Sequence, residues 1–316
     1  MNATERQITK NISVVIPLLN EAEGLQELYD RLRRVLISSG SSFELIFIDD
    51  GSDDGSFEIL KKLHESDDRV TVIQFRKNYG KAAALCAGFQ QASGNIVITM
   101  DADLQDLPEE IPPLIHKLEE GYELVSGWKV ERRDPFSRRL ASRIFNTVVS
   151  ALTGIRLHDF NSGFKCYRSE VTRELRLHGE LHRYIPVLAA WKGFRVGEVR
   201  VEHHPRRYGR SKYGLSRALR GVFDLITVMT LTRYSHRPLH LFGLLGFVLG
   251  FIGLIINLYL SIRWFFGEWL TNRPLLLLGM LLLIVGVQFV FFGLLAEMTA
   301  YSAPQDEPYH IRQKLE

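Results

Sequence analysis

Two uncharged apolar runs, both in the last quarter of the chain, divide this sequence into a part that must fold in water and a part that need not. Leu239–Ile262 holds 24 residues without Lys, Arg, Asp or Glu, and Pro274–Ala296 holds 23, with Gln288 its main polar interruption. Each exceeds the roughly 20 residues a helix needs to cross a bilayer. In hydrocarbon the backbone polar groups must bond within their own segment, which restricts each run to a helix. The segment 263–273 between them holds Trp264 and Trp269, as a short interfacial loop would. The runs therefore predict a hairpin that returns the chain to its starting side.

Charge predicts which side that is. Arg206, Arg207, Arg210, Lys212, Arg217 and Arg220 lie in a 15-residue window without an acid, and Arg233 and Arg237 follow before the first run. The loop between the runs carries only Arg263 and Arg273 against Glu268. Positive-inside reasoning puts the large N-terminal part and the C-terminal tail on the cytoplasmic face of the inner (cytoplasmic) membrane. From Ser216 to Tyr234, apolar residues recur at helical spacing (Leu219, Val222, Phe223, Ile226, Met229) with Arg217 and Arg220 flanking the stripe. This predicts a helix lying along the membrane surface, with ordinary packing on the domain as the alternative. The first ten residues are polar and lack an apolar signal core, so no cleaved signal is expected. Cys86 and Cys166 have no metal-type spacing and read as reduced thiols. A formal charge of +3 gives no reason to expect nucleic-acid binding.

The water-soluble part alternates strand and helix patterns. Residues 12–18 read as a strand buried on both faces, and Glu21–Leu36 as a helix with Leu25, Leu28, Leu32 and Leu36 on one side. Strands at Phe43–Ile48, Val70–Phe75 and Asn95–Met100 follow, with helices at Ser56–His64 and Lys81–Ala92 between them. Such alternation predicts a parallel sheet of βαβ units. Beyond Asp106 it weakens: a helix over Pro108–Glu120, a strand over Tyr122–Gly127, a helix over Arg138–Leu152, and a loop from Gly154 to Gly163.

In a parallel sheet the strand ends share one edge, where ligands bind. The first strand ends near Pro17, Asn20 and Glu21, and the second in Asp49, Asp50 and, after Gly51, Ser52. The fourth ends in Asp101 and Asp103, two carboxylates one residue apart. A hard cation is typically held by one or two carboxylates plus a substrate's phosphates, so this triplet reads as a metal–diphosphate site. A carboxylate near a nucleotide accepts a base N–H or a ribose hydroxyl. No glycine-rich dinucleotide loop follows the first strand and no Walker sequence is present, which argues against a dehydrogenase and a P-loop kinase.

Ile16-Pro17-Leu18-Leu19-Asn20-Glu21, Asp49-Asp50-Gly51-Ser52, Asn78-Tyr79-Gly80-Lys81 and Asp101-Ala102-Asp103-Leu104-Gln105-Asp106 occur in this order. In these motifs the chain resembles the family 2 inverting glycosyltransferases of GT-A fold, and within them the polyprenyl-phosphate glycosyltransferases, such as dolichyl-phosphate mannose synthases and bactoprenol glucosyltransferases. The resemblance covers about residues 10–215. It implies a Rossmann-like α/β GT-A domain with a mostly parallel sheet. It implies a donor-binding set of Pro17, Asn20, Glu21, Asp50, Ser52, Lys81, Asp101, Ala102, Asp103 and Gln105, with Mg²⁺ or Mn²⁺ on Asp103 and Asp101. Asp159, in His158-Asp159-Phe160-Asn161-Ser162-Gly163-Phe164-Lys165, falls where the family has an acidic residue near the acceptor. It joins Asp101 and Asp103 as an expected catalytic residue. Arg206, Arg207, Arg210, Ser211 and Lys212 resemble the family's acceptor-phosphate segment, where Arg206 and Lys212 match best by spacing.

The expected organisation is a cytoplasmic GT-A domain over 1–215, a juxtamembrane amphipathic helix over 216–238, transmembrane helices over 239–262 and 274–297, the loop 263–273, and a cytoplasmic tail over 298–316. The expected activity is metal-dependent inverting transfer of a hexose from a nucleotide sugar to a polyprenyl phosphate in the bilayer. UDP-glucose is the favoured donor and GDP-mannose the next. Homo-oligomers through the hairpin are possible in principle. The alternatives are a processive polysaccharide synthase of the same fold and a catalytically silent membrane-anchored binding protein. Against the first, the chain has neither a Gln-x-x-Arg-Trp motif nor further spans.

Overall fold

The computed structural model describes residues 11–129, 238–267 and 274–302, and most of 146–204. Arg206, Arg207, Arg210, Ser211 and Lys212, the expected surface helix, and most of the expected helix over 138–152 lie outside the described residues. By contacts the chain forms two units, Met1–Leu225 and Ile226–Glu316.

The first unit is built on a seven-stranded sheet. Its first half is β1 (Asn11–Leu18), α1 (Ala22–Ser38), β2 (Ser42–Asp49), α2 (Ser56–Ser66), β3 (Val70–Gln74), α3 (Lys81–Gln91) and β4 (Ile96–Thr99). A 3₁₀ turn, Pro108–Glu110, leads into α4 (Ile111–Glu119) and then β5 (Leu124–Lys129). The second half continues with β6 (Lys165–Arg168), α5 (Ser169–Glu174), α6 (Ile185–Trp191) and β7 (Val196–Val201). The strand order is β3-β2-β1-β4-β6-β5-β7. β1 to β4 are mutually parallel, and β5 pairs in parallel with β7. β6 alone runs antiparallel, between β4 and β5.

Burial on both faces explains the continuous apolar strands. Val14 and Ile16 of β1 pack with Leu25, Leu28, Leu32 and Leu36 of α1 and with α2 and α4 on one side. Val15 packs with Ile46, Ile48, α3, α5 and α6 on the other. The small residues of α3 let it lie close to the sheet: a Cβ on Gly88 would collide with Val15 and Ile48. The predicted strands and helices up to Asp106 are all present. β6 and β7 were not anticipated, because the four residues of β6 are too few to show a period and β7 alternates only weakly.

The second unit contains α7 (Pro238–Phe265) and α8 (Pro274–Ser302), both long and apolar enough to cross a membrane. They pack through glycines. A Cβ on Gly286 would lie 2.5 Å from the Gly250 nitrogen and 2.6 Å from the Gly246 oxygen. One on Gly253 would lie 2.7 Å from the Gly279 oxygen. Apolar burial gives helices no reason to associate in lipid, so such close backbone approach supplies the attraction. Glu297 caps the start of α7, accepting the Leu239 N–H at 3.0 Å.

Candidate active site

The carboxyl ends of β1, β2, β4 and β5 open on one edge of the sheet. β6 starts at that edge, since Lys165 pairs with both Thr99 and Ser126. From the β1 side, Asn20 turns the chain in a left-handed conformation, φ 58°. Its N–H donates to Ser52 Oγ at 2.9 Å, and its amide exchanges hydrogen bonds with Asp53 at 2.8 and 3.0 Å. The Glu21 N–H reaches Ser56 Oγ at 3.2 Å. The turns after β1 and β2 are thus laced together, which fixes the groups predicted to meet a nucleotide; Pro17 is buried beside them in β1.

The acidic turn after β2 is more structural than its composition implied. Asp49 is fully buried and accepts the Ser52 N–H at 2.8 Å and the Gln74 amide at 3.2 Å. Asp50 accepts the N–H groups of Tyr79 and Gly80 at 2.7 and 2.9 Å, one on each oxygen. Asp50 therefore anchors the start of α3, where Lys81 is the first residue. Gly51, at φ +79°, permits this: a Cβ there would lie 2.8 Å from the Lys77 carbonyl carbon.

Lys81 forms an ion pair with Asp101 just beyond β4. Asp103 accepts the Gln105 N–H at 3.2 Å across Leu104, which is also left-handed at φ 57°. Ala102 is buried, and Asp101 and Asp103 are partly exposed on either side of it. Gln105 in turn holds His204, accepting its N–H at 3.0 Å and donating its side-chain amide to the His204 carbonyl at 3.3 Å. Gly163 packs against the ion pair: its Cβ would lie 2.7 Å from Asp101 Oδ2 and 2.9 Å from Lys81 Nζ.

The other half of the sheet brings the expected catalytic residue Asp159 together with groups that the sequence reading did not assign. Asp159 is 2% exposed and accepts the Asn161 N–H at 3.1 Å. Lys165, also buried, donates to the Ser162 carbonyl. Lys129, at the end of β5, forms an ion pair with the fully buried Asp106 at 2.6 Å. Burial alone would lower the Lys129 pKa, but Asp106, with Asp101 and Asp159 beyond it, raises it above the ordinary lysine value. Lys165 has the opposite balance. Burial and then the Lys81 ammonium push it down to about 7, against the pull of Asp159 and Asp101. One lysine is held charged; the other titrates near neutrality. A lone lysine inside the apolar run Phe164–Tyr167 was the available signal for Lys165. Lys129 and Asp106 carried none, because their pairing joins two distant segments.

The donor set suits a hard divalent cation. Asp101 and Asp103 offer carboxylate oxygens at the open edge, while Asp49, Asp50, Asp106 and Asp159 are buried. Among the described residues no cluster of three or more His, Cys, Asp or Glu could hold an ion by itself. A cation here would depend on ligands from a bound phosphate.

The glycosyl transferase family 2 profile matches residues 13–176. The dodecaprenyl-phosphate galacturonate synthase of Rhizobium johnstonii is 37% identical over 311 residues, covering 96% of this chain and 92% of the relative. The undecaprenyl-phosphate 4-deoxy-4-formamido-L-arabinose transferase of Yersinia pestis is 36% identical, covering 97% and 94%. Glucosyl-3-phosphoglycerate synthase of Mycobacterium tuberculosis, solved with Mn²⁺, UDP and phosphoglyceric acid, superposes with a TM-score of 0.56 at 21% identity, over 71% of this chain and 78% of that one. That likeness shows the fold, a GT-A-like α/β sheet.

Proposed function

Since the chain belongs to glycosyl transferase family 2, we propose that it transfers a sugar from a nucleoside-diphosphate donor to a polyprenyl phosphate, inverting the anomeric centre. One observation carries the reading: β4 and β6 bring Asp101, Asp103 and Lys81 to the same sheet edge as Asp159, Lys165 and Lys129. Relatives named for dodecaprenyl- and undecaprenyl-phosphate products support the acceptor class.

On this reading Pro17, Asn20, Glu21, Asp50, Ser52 and Gln105 shape the nucleotide side, Asp50 doing so by holding α3. Asp101 and Asp103 would hold Mg²⁺ or Mn²⁺, which when bound offsets charge on the departing diphosphate. Lys81 pairs with Asp101 and adds positive charge at the same edge. The lipid phosphate oxygen forms the new bond to the anomeric carbon as the bond to the diphosphate oxygen breaks. A phosphate monoester has its second pKa near 6, so the nucleophile is already largely dianionic at neutral pH. Asp159 therefore orients the acceptor side more than it removes a proton, while Lys129 and Lys165 stabilise anionic oxygens there. Arg206, Arg207, Arg210, Ser211 and Lys212 are proposed to meet the acceptor phosphate.

The apolar helices α7 and α8, together with these relatives, make this a membrane protein. We place the catalytic domain, 1–215, on the cytoplasmic face of the inner membrane, with the helix over 216–238 at the surface and the hairpin within the bilayer. The relatives' names, galacturonate and an aminoarabinose derivative, lend no support to glucose or mannose as the sugar. The test is a donor panel on full-length protein in detergent with undecaprenyl phosphate: UDP-glucose, GDP-mannose, UDP-galacturonate and a UDP-aminoarabinose derivative. Lipid-linked sugar from one donor, abolished by EDTA and restored by Mn²⁺ or Mg²⁺, is expected. Failure to bind or consume any nucleotide sugar with either metal would overturn the proposal.

A further inference from the structure

Next to the proposed acceptor side lies a cluster that the reaction itself does not use. The β5–β7 register sets Ser126 beside Glu198 and Trp128 beside Arg200. Side chains alternate along a strand, so these four share one face. His158 closes over that face. Its ring stacks on Trp128 with centroids 3.9 Å apart and planes 13° from parallel. Its Nδ1 contacts Glu198 Oε1, and its backbone N–H donates to Glu198 Oε2 at 2.9 Å. Its carbonyl accepts the Asn146 amide at 2.5 Å, and the Arg200 guanidinium lies 5.0 Å from the Trp128 ring centre.

The residue that follows His158 is Asp159. Its carbonyl accepts the Ser126 hydroxyl at 3.5 Å, from the same strand face. We propose that Glu198 is a positioning residue: by gripping both the ring and the backbone of His158 against Trp128, it fixes the direction of the Asp159 carboxylate. An exposed side-chain contact alone would do little. Here one carboxylate uses both oxygens on a single residue, and that residue is also stacked and held at its carbonyl. Misplacing a reacting group by about 1 Å can cost ~100-fold in rate. The inference rests on the reading of Asp159 as an acceptor-side group.

The test is a double-mutant cycle on the full-length enzyme with the donor found in the panel. Glu198→Ala is expected to lower kcat/KM for undecaprenyl phosphate by about 10- to 100-fold. Donor Kd should stay within twofold. Glu198→Gln should recover most of the loss, because its carbonyl accepts the His158 N–H and its amide can donate to a ring nitrogen. In Asp159→Asn the further change to Glu198→Ala should have no added effect. Full additivity would overturn the proposal, since Glu198 would then act elsewhere. So would an unimpaired Glu198→Ala beside a crippled Asp159→Asn, which leaves the reading of Asp159 standing. Wild-type turnover in Asp159→Asn would remove that reading, and this inference with it.

Discussion

The two halves of the sheet meet at β4 and β6, but they are assembled differently. In the β3-β2-β1-β4 half every connection is a short βα unit, and the functional groups sit at the first turn after a strand. There one turn braces the next, as Asn20 does with Ser52 and Asp50 with Tyr79 and Gly80. In the β6-β5-β7 half an antiparallel strand begins at the working edge, so Asp159 and Lys165 arrive on the incoming chain. There Lys129 is balanced by the buried Asp106, while the buried Lys165 donates to the Ser162 carbonyl. We propose that the first half binds the donor and the second the acceptor, a division that mutation can break.

The largest effect is expected in the first half. Asp103→Ala should reduce turnover about a thousand-fold, and added Mn²⁺ should not restore it. A rate within tenfold of the native enzyme, measured as labelled lipid-linked sugar, would take the cation out of that half.

Lys165→Met should cost about 100-fold in turnover, with the loss in the acceptor rather than the donor parameters. The same variant tests the buried charge. With a folded pKa of about 7 against the ordinary lysine value of 10.5, the unfolded chain binds more protons between those values. Native stability therefore rises with pH across that window, and the cost of the ammonium is complete below it. Without metal, the variant's gain in Tm over the native protein should be larger at pH 6 than at pH 9. An equal gain at both would show that Lys165 is not held in its depressed state.

Asp50→Asn puts an amide N–H where a backbone N–H now finds an oxygen, at a cost of about 1–3 kcal/mol. Donor affinity should fall roughly tenfold through the displaced start of α3 while acceptor KM holds; a change confined to the acceptor would invert the division. Gly286→Ala serves as the control outside both halves. Its Cβ would meet backbone of α7, so Tm in detergent should drop by an amount equal to about 1–3 kcal/mol while soluble-unit donor binding stays unchanged. Altered donor Kd would mean that effects on the sheet cannot be read separately from those on the hairpin.

Legibility follows the same division. Strands β1, β2 and β4 announced themselves because each is buried on both faces and ends in polar residues that water or a ligand must meet, while β3, at the edge of the sheet, is only partly buried. The hairpin was equally plain, since a long uncharged run has few alternatives. Glu198, Asp106 and Lys129 were invisible because each is an ordinary charged residue until a partner from another segment is beside it. Asp50 was read as a nucleotide contact because the sequence cannot say that both of its oxygens are already accepting backbone N–H groups.

By itself the sequence determined the alternating units, the Asp101–Asp103 edge and the two apolar helices, because these depend on local pattern: burial on both faces, a turn after a strand, an unbroken apolar length. Only the tertiary structure decided that β6 runs backwards into the middle of the sheet. That reversal puts Lys165 and Asp159 at the edge already occupied by Lys81 and Asp101. Charges so far apart in the chain acquire a shared chemistry only when folding removes the water between them.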